Sequence, residues 1–503
     1  MKGSPDDPGV PEATSPPAED VLAVRRAKLD RLRARGVEPF ALRFDRDASL
    51  AEVRSRFGDA EPGTSTGHTV RVAGRLVGRR RHGKLTFGVL RDGTGDLQLF
   101  IDEAALGPDD RALLEDLDLG DWVGAEGEVV TTRRGELSVR PTSLVLLTKA
   151  LRPLPEKWHG LRDPELQLRQ RYLEFATDFG SRQVIEARAK VYAALRQELA
   201  RRGFVEVETP VLHHTAGGAI ARPFVTHHQA LDIDLYLRVA LELYLKRLLI
   251  GGVERVYEIG RNFRNEGIDR QHNPEFSMLE AYQAYGDYES MMELGQALVV
   301  AAARAVRGSL RFEYQGRELD LEGEWRRITV LASVAEATGD DIALDRPDLA
   351  DVALRHGIEI HSTWGPGKVV LEMFEKLVEG TLWNPTFVCD FPREVSPLAR
   401  PHRSQPGLVE HYDLVMAGME IIPAYSELSD PDEQRRSFEI QRDAREKGEA
   451  ETHPLDEEFL TALEHGMPPA GGLGLGLDRL LMILADQPSI RDVILFPAHR
   501  PES

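Results

Sequence analysis

The sequence predicts an α+β, multidomain protein: a small five-stranded β-barrel followed by a larger domain in which strands and helices mix. Three observations carry that prediction. The chain has 503 residues, too many for one compact unit. Residues 66–150 hold short runs of alternating apolar positions broken by turn residues. Beyond residue 181 strands and helices alternate without the regular βαβ repeat of a doubly wound sheet.

The elements follow in order. Residues 1–20, acidic and proline-rich, read as a disordered tail, and they lack the apolar segment of a secretory signal. Residues 21–65 form an N-terminal helical segment, with a charged amphipathic helix over 21–36 that ends near Gly36. Alternation over Val70–Val77, Lys84–Leu90 and Leu97–Ile101 gives three strands, the last two joined by a turn from Asp92 to Asp96. A short helix near Asp110–Leu117 precedes strands at Trp122–Val130 and Leu137–Leu147. Five strands with a helix between the third and fourth is the pattern of an OB-fold barrel. Pro153 and Pro155 mark a linker over 151–180. The second domain, 181–503, opens on a helix at Gln183–Arg201 with Val184, Ala187, Val191, Leu195 and Leu199 on one stripe, stopped by Gly203. A glycine-rich run from Gly472 to Asp478 lacks the spacing and context of a dinucleotide fold.

Composition excludes several classes. Hydrophobic residues make up 42% and charged residues 29%, and no stretch approaches the roughly 20 apolar residues that span a bilayer. No membrane partner is expected. The single Cys389 excludes an intramolecular disulfide framework and fits a reducing cytoplasm. A formal charge of −20 opposes indiscriminate nucleic-acid binding. It leaves room for a local basic patch, and Arg71, Arg75, Arg79, Arg80, Arg81 and Lys84 form one without an intervening acid.

The chemistry concentrates in Val256–Glu266 and Glu275–Tyr282, two arms that read as strands of a hairpin. Side chains alternate along a strand, so Arg264 and Glu266 share one face of the first arm, and Phe276, Glu280 and Tyr282 one face of the second. A guanidinium, carboxylates and aromatic rings on one surface suit a ligand site. A solvated polar face with incidental salt bridges is the plain alternative.

Phe263-Arg264-Asn265-Glu266-Gly267 with His272-Asn273-Pro274-Glu275-Phe276 resembles motif 2 of class II aminoacyl-tRNA synthetases. The run from Gly472 to Arg479 resembles motif 3, and Gly203–Pro210 resembles motif 1, which builds the dimer interface in that family. Glu242–Leu248 and Arg491–Pro497 are similar to the lysyl-tRNA synthetases of bacterial type. Ser396–Arg403 and Met278–Tyr282 resemble the synthetase-like half of actinobacterial lipid-lysylating proteins, whose membrane half is missing. The resemblance implies a catalytic domain on an antiparallel sheet with flanking helices, and a homodimer through motif 1. It implies that Arg264 and Arg479 are catalytic. ATP would be held by Arg264, Glu266, His272, Asn273, Phe276 and Arg479, with the adenine between Phe276 and Arg479. Asp413 and Glu420 match the acidic positions that bind Mg²⁺, with Asp where most members have Glu. Joining a carboxylate to an α-phosphate needs in-line placement and charge cancellation rather than a general base.

In lysyl enzymes the positions of Glu280 and Glu427 face the substrate ε-ammonium, the position of Glu242 takes the α-amino group, and Tyr282 and Tyr425 line the pocket beside Arg264. Phe87 and Gln98 match positions that stack on and hydrogen-bond an anticodon base, although parity also groups Phe87 with Leu85 and Val89 as barrel core. The resemblance therefore implies ATP-dependent activation of L-lysine and its transfer to tRNA(Lys) in the cytoplasm. One segment departs from the family: Glu420-Ile421-Ile422-Pro423-Ala424-Tyr425 replaces Glu-Ile-Gly-Asn-Gly-Phe. The substrate-contacting Asn is lost, and Ile422 and Ala424 add bulk where glycines left room. A paralogue that activates lysine or an analogue for a non-translational acceptor is the alternative, and a non-catalytic tRNA-binding protein is a further one.

Overall fold

The computed structural model describes residues 18–155, 164–446 and 452–500. The expected tail lies almost wholly outside that range. The chain divides into two compact units, residues 1–160 and 161–503.

The first unit begins with helices α1 (Ala18–Ala34) and α2 (Leu50–Phe57). A capping box starts α2: the Ser49 side chain accepts from the Glu52 amide while Glu52 reaches back to Ser49. Strands β1 (Ser65–His82), β2 (Leu85–Arg91), β3 (Asp96–Asp102), β4 (Trp122–Thr131) and β5 (Leu137–Thr148) close a barrel in the order β1-β2-β3-β5-β4, with α3 (Pro108–Asp116) between β3 and β4. This is the five-strand, one-helix pattern that the turns and alternation predict. Alternation in β2 and β3 points Leu90, Leu97, Leu99 and Ile101 into the core and leaves Phe87, Gln98 and Phe100 on the outer face. The parity that groups Phe87 with Leu85 and Val89 therefore places it outside the core. The basic run on β1 is partly answered by acids: Arg81 reaches Glu103 and Glu115, and Arg71 reaches Glu126.

In the second unit, two helices at Pro164–Arg169 and Arg171–Thr177 occupy part of the stretch predicted as linker. The long amphipathic helix α4 runs from Phe179 to Arg201 and buries the expected stripe. Helix α5 (Glu242–Ile250) follows, then α6 (Tyr288–Arg307) and, near the C-terminus, α7 (Leu477–Leu484). Eight strands form one sheet: β6 (Val205–Glu206), β7 (Arg255–Phe263), β8 (Glu275–Ala284), β9 (Arg326–Thr329), β10 (Thr386–Pro392), β11 (Leu408–Met416), β12 (Met419–Ser426) and β13 (Ala470–Gly476). Their order is β9-β10-β11-β12-β13-β8-β7-β6. The six inner strands are antiparallel, and only the two edge pairings are parallel.

One face of the sheet packs on α4, α6 and α7 in the main core. The other face carries the polar side chains. Strand β13 shows how the sequence divides them. Leu473 and Leu475 enter the core, whereas a β-carbon at Gly472 would overlap the Glu427 carboxylate and the Tyr282 ring. The glycine repeat thus keeps one face of a central strand open. Asp478 joins α7 to β8: one oxygen accepts from the Ser277 amide at 2.7 Å, and the other pairs with Arg188 of α4.

Because Phe87 sits on the barrel's outer face, Phe87→Ala should cost under about 1 kcal/mol in chemical denaturation, against the ~3–5 kcal/mol of a phenylalanine lost from a core. A loss in that larger range would place the ring in the core after all.

Candidate active site

Strand β7 ends at Phe263, so Arg264 and Glu266 lie in the loop that follows it. Alternation along a strand therefore cannot explain why they converge. The loop does so instead: the Arg264 amide donates to Pro274 O at 2.9 Å and the Glu266 amide to Arg264 O at 2.9 Å. Both side chains line a cavity together with His272, Asn273, Phe276, Glu420, Pro423 and Arg479. All six residues assigned to ATP by resemblance thus meet in one pocket. The Arg264 guanidinium lies 5.1 Å from the Phe276 ring centroid. Arg479 donates to Glu420 O at 2.9 Å and contacts His272 Nε2 at 3.1 Å. His272 is braced by Asp269 at 2.8 Å, and Asn273 keeps a buried side-chain oxygen without a hydrogen-bond partner.

A second cavity adjoins the first. Arg264, Met278, Glu420 and Pro423 line both, so these four form the seam. The second cavity also carries Glu242, Glu280, Tyr282, His411, Asp413 and Tyr425. Strand alternation puts Glu280 and Tyr282 on one face of β8, as the sequence predicts, and they pair with Gly474 and Gly472 of β13. Glu280 is buried and accepts from the Leu241 amide at 2.9 Å and the Tyr282 hydroxyl at 3.1 Å. Burial pushes its carboxyl up to about 7, and the charge of Glu242 adds to the rise.

Glu427 does not line the cavity. Its Oε2 lies 2.5 Å from the ammonium of Lys246, which is 2.5 Å from Glu242 Oε1 as well. The second oxygen, Oε1, has no hydrogen-bond partner and lies against Gly472 and Tyr282. Burial pushes the Glu427 carboxyl up to about 8 against the pull of Lys246. Burial disfavours the charge of Lys246, yet Glu242 and Glu427 together hold it charged.

Asp413 and Glu420 stand on neighbouring strands and face the same cavity. Burial and then the charge of Glu420 raise Asp413 well above the carboxylate range. A mostly enclosed carboxylate and a half-exposed one that repel each other across an open cavity suit a divalent cation, and Mg²⁺ commonly takes one or two carboxylates plus phosphate oxygens. Among the described residues no cluster of three or more His, Cys, Asp and Glu forms a complete metal cage. Asp413 accepts from His411 Nε2 at 2.9 Å. Burial pulls His411 down to about 3, so the ring is neutral, Nε2 carries the proton, and Nδ1 accepts from Ser396 Oγ at 2.9 Å.

The departing segment is split by the sheet. Pro423 and Tyr425 face the cavities, while Ile422 and Ala424 are fully buried in the opposite core, Ile422 against Gly295 of α6. Their added bulk therefore does not enter the pocket, contrary to the expectation from sequence. At the wall Pro423 replaces a polar side chain by ring carbons, and Tyr425 adds a hydroxyl to the family's phenylalanine.

Sequence reasoning passed over Lys246, His411 and His453. Lys246 could have been found from its four-residue spacing to Glu242 on a helix, and His411 from its two-residue spacing to Asp413 on a strand. His453 lines the cavity and accepts from the Gly218 amide at 2.6 Å across 235 residues of chain. No local pattern signals such a contact.

Phe87 and Gln98 belong to the barrel unit. Phe87 lies 5.5 Å from Phe100 and 6.2 Å from His82, centroid to centroid, and Gln98 donates to Ser138 at 2.8 Å.

Comparison with known proteins agrees with this geometry. Residues 163–500 match the family tRNA synthetases class II (D, K and N), and residues 70–147 match the OB-fold nucleic acid binding domain. The chain is 50% identical over 485 residues to a protein of Moorella thermoacetica named lysine--tRNA ligase, covering 96% of this chain and 98% of that one. Proteins of the same name from Syntrophomonas wolfei and Thermosynechococcus vestitus are 47% and 48% identical, each covering 96% of this chain and 98% and 97% of their own length. With two adjoining cavities lined by residues of motifs 2 and 3 and a match along two thirds of its length, the chain belongs to the class II tRNA synthetases of the D, K and N group.

Proposed function

We propose that this protein activates L-lysine with ATP and transfers it to the 3′ end of tRNA(Lys). The observation that carries the reading is the buried acid in the lining of the second cavity, Glu280, with Glu427 also buried and its Oε1 unpartnered. A buried carboxylate without a cation is costly, and an ammonium on a flexible aliphatic stem offsets that cost. Among the D, K and N amino acids, lysine alone brings a cationic side chain.

ATP occupies the cavity of Arg264, Glu266, His272, Asn273, Phe276 and Arg479, and lysine that of Glu242, Glu280, Tyr282 and Tyr425. Glu242 receives the α-amino group. The lysine carboxylate and the α-phosphate meet at the seam, where Arg264 reaches both. A carboxylate oxygen bonds to the α-phosphorus as the bond to pyrophosphate breaks, giving the mixed anhydride and pyrophosphate. A terminal hydroxyl of tRNA then takes the acyl group, and AMP leaves with the electron pair. Arg264 and Arg479 stay charged and cancel the growing negative charge on the transferring group. Asp413 and Glu420 would hold Mg²⁺, which supplies further charge neutralisation on the phosphates.

The outer face of the barrel, with Phe87, Gln98 and Phe100, suits an anticodon, since stacking of one base on an exposed ring is worth about 1–3 kcal/mol. The likeness of Gly203–Pro210 to motif 1 supports a homodimer. Among the described residues no helix is long and apolar enough to cross a membrane, and the lone buried Cys389 suits a cytoplasmic enzyme.

Two measurements test the pocket. Glu280→Gln should lower lysine-dependent ATP–pyrophosphate exchange by about 10³-fold or more, as expected when a charged partner is left unpaired, with ATP binding within about threefold of wild type. Unchanged lysine kinetics would remove Glu280 from the pocket. The pH dependence follows from the raised carboxyl. The ammonium of lysine binds ionised Glu280, so below about 7 the free enzyme must first lose a proton. The kcat/KM for lysine should therefore fall about tenfold per pH unit below that point and level off above it. A profile flat between pH 6 and 8 would contradict the assignment.

A further inference from the structure

Two carboxylates line the lysine cavity, Glu242 and Glu280, a third, Glu427, lies outside its lining, and an internal cation is buried between Glu242 and Glu427. Lys246 is fully enclosed, four residues after Glu242 on α5, with its ammonium 2.5 Å from Glu242 and 2.5 Å from Glu427. It does not line the cavity, so it reaches a ligand only through those two acids. Stability alone is a weak account of it. A buried ion pair replaced by apolar groups of similar volume is often as stable or more so.

The charge sum offers a better account. Glu375, Asp413 and Glu420 line the same cavity but act chiefly on one another; in the separate group of Glu242, Glu280, Glu427 and Lys246, with the acids ionised around a bound ligand, three negative charges and one positive charge leave −2. A lysine zwitterion with a charged side chain presents two ammonium groups, and its carboxylate is answered separately by Arg264. We propose that Lys246 is a specificity-determining positioning residue that sets the net charge of the pocket to match a diamino acid. It neutralises one acid and holds Glu427 by Oε2, leaving Oε1 free beside Tyr282. This rests on the lysine reading given above.

The test is a charge-compensation cycle in the full-length protein, read by lysine-dependent ATP–pyrophosphate exchange with the KM for ATP as control. Glu427→Gln alone leaves the sum at −1, and Lys246→Met alone leaves it at −3. Both should raise the KM for lysine by about tenfold or more while the KM for ATP stays within about threefold. The double variant K246M/E427Q restores −2 and should bind lysine about tenfold better than E427Q, although it carries one more substitution. If Lys246→Met fails to fold because two buried acids lose their cation, the comparison of E427Q with the double variant decides the matter without it. A double variant no better than E427Q, or a Lys246→Met protein with an unchanged lysine KM, overturns the proposal. Absence of lysine-dependent exchange in the wild-type protein would instead overturn the substrate reading itself.

Discussion

Negative charge held away from water at the end of a cavity is the constraint from which the rest of the second unit follows. A carboxylate such as Glu280, enclosed by Leu241, Tyr282 and the sheet, gives up its proton less readily than one in water, and a positive group beside it favours the charged form. Burial raises its carboxyl to about 7 and, against the pull of Lys246, raises that of Glu427 as well. The fold sustains this frustrated arrangement because the opposite face of the same strands is packed with leucine, isoleucine and methionine against α4 and α6. Binding of a cation relieves what folding leaves unsatisfied.

The division of labour between the two faces explains the sequence at short range. In β13 Gly472 and Gly474 open the ligand face while Leu473 and Leu475 fill the core, and Gly471 lets the strand lie close against α6. In β12 the same alternation sends Ile422 and Ala424 inward and leaves Pro423 and Tyr425 at the wall. The departure from the family is therefore two changes of different kind. The glycine replacements repack the core beneath α6, and the proline alone reshapes the seam. Proline also cannot donate a backbone hydrogen bond. It is tolerated because the pairing of β12 with β13 begins only at Ala424.

Much of this was legible in the sequence because it is local. Barrel strands announce themselves by period-two alternation, and α4 by its apolar stripe. The hairpin acids and rings were found through the same arithmetic, although Arg264 and Glu266 converge through a loop and the strand argument reached them by the wrong route. Phe87 shows the limit of parity: alternation groups Leu85, Phe87 and Val89 on one face without telling which face is the core. Contacts closed over long chain distances left no trace in the sequence. The bond from Gly218 to His453 and the grip of Lys246 on Glu427 close only once segments far apart in the chain have met.

The account depends on charge recognition at one buried end of one cavity, and a neutral isostere of the substrate tests that most directly. 2-Aminoheptanoic acid has the shape of lysine with a methyl group in place of the ammonium. Calorimetric titration of both amino acids into the protein loaded with a non-hydrolysable ATP analogue should give lysine an affinity about 10⁴-fold or more above that of 2-aminoheptanoic acid. Affinities within about tenfold of one another would mean that the buried carboxylates do not select the substrate.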